Sequence, residues 1–123
     1  MKIAILQSSY EDSDSPFSSL DPPCNPARYL PEHECVPFAI KKRTAVSQLI
    51  EIARQNFDAV INLCDGSWHG DTAGIEVVDA LERLQLPFTG AASIFYEPTR
   101  EAMKMACHSV GVNFPAYVMA RSH

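Results

Sequence analysis

The run Phe57-Asp58-Ala59-Val60-Ile61-Asn62-Leu63-Cys64-Asp65-Gly66, continued through Gly70-Asp71, limits the fold more than any other stretch of this chain. Ala59 to Leu63 is a short apolar run without alternation, the mark of a strand buried on both faces. A polar turn with two glycines follows. From about Thr72 to Leu84, Val77, Val78, Leu81 and Leu84 form an apolar stripe, with Glu76, Asp79 and Arg83 on the wet side and Asp71 as the expected N-cap. Strand, glycine turn and helix is the unit from which open α/β sheets build ligand crevices, at the carboxyl end of the strand and against the amides of the next helix. The pattern gives a location for function but does not name its chemistry.

The rest of the chain extends the same alternation. Lys2 to Leu6 reads as a central strand. Glu34 to Ile40 reads as a second strand, set near an edge because Pro37 removes a ladder donor. Val46, Leu49, Ile50 and Ala53 recur at helical spacing behind Thr44 as cap, and Asn56 ends that helix. Leu86 to Gly90 predicts a short strand, and Ala91 to Tyr96 one helical turn. Thr99 caps a helix that Gly111 closes, and Pro115 to Ala120 opens a further strand. The fold class expected is α/β: a Rossmann-like open parallel sheet with helices on both faces.

One segment departs from the alternation. Gln7 to Pro31 is rich in serine and acidic residues and carries Pro16, Pro22, Pro23, Pro26 and Pro31. Prolines at that density exclude a helix through most of it. A loop of this length is either an uninvolved insertion or a flap over the site, with Tyr10, Phe17 and Tyr29 as docking groups.

At 123 residues the chain has room for one core, and 46% hydrophobic with 20% charged residues is an ordinary globular balance. A net charge of −5 argues against nucleic acid and anionic membrane as partners. Lys41-Lys42-Arg43 reads as a solvated loop. No apolar run has the length of a membrane span, and the first residues are too short for a signal peptide, so a cytoplasmic protein with reduced thiols is expected. Cys24, Cys35, Cys64 and Cys107 are scattered without zinc spacing, and Cys64 and Cys107 read as core residues. Cys107 and His108 are adjacent on a helix and point about 100° apart, so they cannot act as nucleophile and base. No catalytic residue and no metal ligand is assigned. The absence of G-x-G-x-x-G after the first strand argues against a dinucleotide oxidoreductase.

Four pieces, in order, resemble the N-terminal part of D-alanine–D-alanine ligases and their ATP-grasp relatives. They are Asn62-Leu63-Cys64-Asp65-Gly66; Leu86-Pro87-Phe88-Thr89-Gly90; Thr99-Arg100-Glu101-Ala102-Met103-Lys104; and Gly111-Val112-Asn113-Phe114-Pro115-Ala116-Tyr117. In that family the corresponding patterns are N-x-x-[HE]-G, G-I-P-[YF]-T-G, D-K-x-x-x-K and A-G-[IV]-P-T-P-x-Y. The likeness covers about Phe57 to Tyr117. It departs at Asp65, which stands for the family's His or Glu, at Arg100, which stands for its phosphate-contacting lysine, and at Thr99, which replaces the acidic partner. Gln7-Ser8-Ser9-Tyr10-Glu11 stands where the family has G-G-x-S-x-E, with Glu11 as the echo.

The resemblance implies a pre-ATP-grasp α/β substrate domain over 1–97, then over 98–123 a linker helix and the first strand of a truncated ATP-grasp domain. The implied activity is an ATP-dependent carboxylate–amine (or carboxylate–thiol) ligation through an acyl phosphate, carried out by the full-length enzyme with ATP and Mg²⁺. This chain alone would hold neither cofactor and would not be catalytic. Substrate contacts fall on Asp65, Gly66, Glu11 and His69, and nucleotide phosphate on Arg100. The partners implied are a small carboxylate or amine substrate and the missing ATP-grasp domains, with room for a homodimer. The alternative is a stand-alone Rossmann- or flavodoxin-like domain that binds a ligand or a partner protein in the same crevice.

Overall fold

The computed structural model describes residues 1–11, 13–14 and 16–118. Three parallel strands, β1 (Lys2–Ser8), β2 (Glu34–Ile40) and β3 (Ala59–Leu63), form a sheet in the order β2-β1-β3. β1 is central and β2 lies at the edge, as its proline requires; Pro37 pairs with Ile5 and is exposed. In β1, Ile3 to Leu6 are all buried. On the other side, Ile5 lies opposite Ile61 and Leu6 opposite Asn62.

Two helices lie over this sheet, α1 (Ala45–Ala53) and α2 (Ile75–Arg83). Their inward residues Ala45, Leu49 and Ile52, and Val77, Ala80 and Leu81, share one cluster with Ala4, Leu6, Ile40, Phe57 and Val60. Phe38 meets Phe57 edge-on, with ring centroids 5.7 Å apart. Side chains alternate across a strand, so Ile3, Ile5 and Gln7 face the opposite side from Ala4 and Leu6. There Gln7 Nε2 donates to the carbonyl of Cys24, which brings the proline-rich segment onto that face. The expectation of helices on both faces is therefore met on one face, with α1 and α2 together; the other is approached by coil with two short 3-10 turns, Pro16–Ser19 and Pro26–Tyr29. The chirality of parallel crossovers accounts for this. The steps β2 to β3 and β3 onward run in the same direction across the sheet, so right-handed connections put both helices on one side.

The α1 stripe is rotated from the expected one. Ala45, Leu49 and Ile52 are buried, while Val46 is 53% and Ile50 39% exposed. Thr44 is the N-cap residue but makes no capping bond to a backbone amide. Its hydroxyl donates instead to Gln48 Oε1, which also accepts from the Lys41 amide, while Gln48 Nε2 donates to Ala39 O. One glutamine thus joins the end of β2 to the helix. Asn56 ends the helical run in a left-handed conformation, as expected.

Past β3, helix α2 starts at Ile75 and not at Thr72, with Gly74 as its N-cap. The Asp71 cap is thereby corrected. Gly66 N donates to Ala73 O at 2.9 Å, which holds Ala73 and Gly74 beside the β3 turn and out of the helix, and the Asp71 carboxylate is turned to Ser13. The strand expected over 86–90 reduces to one bridge, Phe88 beside Val60, because Pro87 has no N–H and Gly90, at φ 110°, turns the chain away. Ser93–Phe95 forms the expected turn, of 3-10 type.

Helix α3 (Arg100–Ser109) has Thr99 as cap, whose Oγ1 accepts from Ala102 N at 3.0 Å, and Gly111 ends it at φ 72°. None of its residues is buried, so Cys107 is not a core residue, whereas Cys64 is. After Gly111 the chain folds back onto α3. Lys104 Nζ donates to Pro115 O and lies over the rings of Phe114 and Tyr117. The strand expected from Pro115 to Ala120 has no ladder over 115–118, and 119–120 lie outside the described residues.

Candidate functional site

Because all three strands are parallel, their carboxyl ends meet on one edge. β1 leads to β2 on one side, and the chain then crosses to β3 on the other, so the topological switch point lies between the ends of β1 and β3. Ser8-Ser9-Tyr10 leaves β1 there, and Cys64-Asp65-Gly66 leaves β3. The two ends are linked through the far limb of the turn, where Ser8 Oγ donates to Ala73 O at 2.7 Å.

The turn from Asp65 to Gly74 is held from both sides. Gly66 and Gly74 cross so closely that neither has room for a side chain. Lys42, just past β2, reaches across; its Nζ donates to Ser67 O at 2.7 Å and Thr72 O at 3.3 Å, and stands 3.6 Å from Glu76 Oε2. Glu76 uses its other oxygen to accept from Gly74 N. From the other side the Tyr96 hydroxyl lies 3.4 Å from Cys64 O and 3.2 Å from Gly66 O, donating to this carbonyl pair. Burial first, then the carboxylates of Asp65 and Glu97, push the Tyr96 hydroxyl up to about 12. It therefore stays a donor at neutral pH.

The serine-rich segment docks at the same edge. Asp71 Oδ2 accepts from Ser13 Oγ at 2.6 Å and from Asp14 N at 3.1 Å. Glu11 pairs with Lys41 Nζ at 2.7 Å, and Tyr10 donates to Asp21 at 2.9 Å. That bond, with burial and the charges of Asp21, Asp65 and Asp71, raises Tyr10 above the usual phenol range. Of the three expected docking groups, Tyr10 is engaged. Tyr29 is 71% exposed beneath Arg28, so it does not dock, and the Phe17 side chain lies outside the described residues.

Two hollows open here. One of about 240 Å³ is lined by Ser9, Lys41, Lys42, Arg43, Gly70 and Asp71. The second, about 290 Å³, lies beneath the segment between Gln7, Tyr10, Asp21, Cys24, Ala39 and Leu63. Both have the size of a small-metabolite subsite and a partly polar lining.

Of the residues singled out in the sequence, Asp65 and Gly66 stand at the switch point, exposed and buried respectively. His69 is exposed at the tip of the same turn, and Glu11 lies on the docked segment with its carboxylate on Lys41. Arg100 is exposed on the first turn of α3, and no hydrogen bond or ion pair joins it to the other four among the described residues. No group of three or more His, Cys, Asp or Glu gathers into a metal site among the described residues. Tyr96 and the Ser13–Asp71 tether were not singled out from sequence, and Lys42, expected in a solvated loop, is instead a partly buried clip on the turn. The signal for Lys42 was its place just after a parallel strand, at the edge where every other strand end also lies.

Among the described residues no helix is long and apolar enough to cross a membrane. No protein-family profile, no curated protein and no solved structure matches this chain.

Proposed function

We propose that this chain is the small-molecule-binding α/β domain of an ATP-dependent carboxylate–amine (or carboxylate–thiol) ligase, of the Rossmann-like, pre-ATP-grasp type. The observation that carries the binding part is the meeting of Asp65-Gly66 with the end of β1 at the β1–β3 switch point, under a segment anchored to the same edge. That is where open α/β sheets take ligands. In this reading the exposed Asp65 carboxylate receives the ammonium of an amino-bearing substrate, and His69 and Glu11 close around it. The ligase part rests on the four motif resemblances alone. ATP and Mg²⁺ are assigned to parts of the enzyme other than the residues described, with Arg100 as the contribution of this chain.

The test has two stages. Amide NMR of this chain, titrated with amino acids and small carboxylates, is expected to move Asp65, Gly66 and His69 together; no saturable shift with any of them overturns the binding part. In the native protein, Arg100→Ala is expected to reduce carboxylate-dependent ATP turnover at least about tenfold, the loss of one charge-assisted contact. Turnover unchanged in that variant removes Arg100 from the reading.

A second reading, a domain that binds a partner protein, is favoured by a different observation. Ile94, Phe95, Met103, Met105, Val110 and Val112 are all between 45% and 82% exposed along the Ser93–Phe95 turn, α3 and the residues just after it. Concentration-dependent association lost on Phe95→Ser would support it.

A further inference from the structure

The 240 Å³ hollow beside the switch point is lined by three consecutive cations, Lys41, Lys42 and Arg43, together with Ser9 and the Gly70-Asp71 turn. In a chain of net charge −5 three cations stand together here, matched by the carboxylates of Glu11, Asp71 and Glu76. The three cations are employed differently. Lys42 is a structural clip, spent on Ser67 O, Thr72 O and Glu76. Lys41 holds the Glu11 carboxylate at 2.7 Å. Arg43 is exposed and makes no hydrogen bond or ion pair among the described residues. The Asp71 carboxylate, the acid in the lining, directs its Oδ2 to Ser13 and Asp14.

An oxyanion therefore already sits at this hollow, and the chain itself supplies it. Glu11 belongs to the segment that Asp71 tethers through Ser13 and Asp14, so its position on Lys41 is coupled to the docking of that segment. A planar guanidinium and an ammonium with a hydroxyl beside them suit a phosphoryl or carboxylate group, which each can bind with charge-assisted hydrogen bonds.

We propose that Lys41, Arg43 and Ser9 form a binding site for the oxyanion group of a small-molecule ligand, and that Glu11 occupies Lys41 as an internal competitor which the ligand displaces. The proposal rests on the reading above only for the location of the crevice and needs neither ATP nor ligase chemistry. Displacement of Glu11 removes one of the contacts that hold the first limb, beside the bonds of Ser13 and Asp14 to Asp71, so ligand binding and loosening of that limb are coupled.

The test uses this 123-residue chain, with inorganic phosphate and acetate as probes, titrated at constant ionic strength because screening alone alters surface charge pairs. Binding is read from amide shifts of Ser9, Arg43 and Gly70 and by calorimetry. Saturation with phosphate alone identifies a phosphoryl group, with acetate alone a carboxylate, and with both a general oxyanion site; no saturation with either overturns the proposal. Arg43→Ala is expected to weaken the responding probe about tenfold. Arg43 is exposed, so the variant is expected to keep its fold, and an unchanged affinity also overturns the site. Glu11→Gln is expected to tighten binding several-fold and to shift the Ser13 and Asp14 amides as the ligand does. Unchanged affinity in Glu11→Gln overturns the competitor role. Anion binding that persists in a protein without ATP turnover separates this inference from the ligase reading.

Discussion

A Cβ placed on Gly74 would stand 1.6 Å from the carbonyl oxygen of Gly66. The two glycines cross backbone to backbone, and the same contact carries the parallel bridge that sets the turn against the start of α2. Backbone cannot swing aside as a flexible side chain can. Gly74→Ala is expected to cost about 3 kcal/mol or more, the range of overpacking at a site that cannot relax. Urea unfolding measures it; a loss under about 0.5 kcal/mol would mean that the crossing yields.

Lys42 joins three parts of the edge: the end of β2, the turn and α2. Its side chain and that of Glu76 are each 23% exposed, so the pair is screened less than a surface ion pair. Lys42→Met removes the donor and leaves Glu76 and the carbonyls of Ser67 and Thr72 without it. The expected loss is about 1–3 kcal/mol, with faster amide hydrogen exchange over 67–72. Unchanged exchange there would show that the turn is held without Lys42, by the glycine crossing with Tyr96 and Ser8.

The Ser13 hydroxyl, donating to Asp71, holds that carboxyl below its ordinary value of 3.8. A depressed carboxylate contributes its stabilisation above the ordinary value and loses it as pH falls through the lowered one. The bonds of Ser13 and Asp14 to Asp71 are therefore expected to be complete at neutral pH and to be lost in acid as pH falls below the ordinary carboxyl value. Ser13→Ala should move the Asp71 titration upward, read by carboxyl-carbon NMR; an unmoved midpoint means the hydroxyl is not the cause.

Burial pushes the Cys64 thiol up to about 12, against a smaller opposing effect of the Ser8 hydroxyl. Cys64 is 4% exposed, while Cys24 is exposed. Thiolate is the reactive form, so an alkylating reagent at pH 8 should label Cys24 rapidly and Cys64 only on unfolding. Equal labelling rates in the native protein would place Cys64 in an opening region of the turn.

The elements with a strong local signal were legible. β2 and β3 have the expected bounds, the inward residues Val77, Val78 and Leu81 of α2 lie where the stripe puts them, and Thr99 and Gly111 bound α3. The α1 stripe was misplaced by one position, since Val46 and Ala45 are both apolar and only the sheet beneath decides which turns inward. The start of α2 was misjudged because Asp71 satisfies the rule for a cap in sequence, whereas Ser13, 58 positions away, claims its carboxylate. In the site, Asp65 and Gly66 could be read from the strand–turn pattern; the place of Lys42 after β2 put it at the edge but did not name its partners, and Tyr96 left no signal, because what both hold is mainly backbone carbonyl with no side-chain signature.

The sequence by itself determined that this chain is α/β. Apolar runs of strand length, helical periodicity and punctuation by proline and glycine are local properties, and they decide which segments become strands and helices. Only the tertiary structure decided what meets at the carboxyl edge: Lys42 on the turn, Asp71 on Ser13, Glu11 on Lys41. Parallel strands bring their ends together through crossovers of fixed hand, so residues far apart in the chain become neighbours. A charge, unlike an apolar stripe, leaves no periodic trace of the partner it will find.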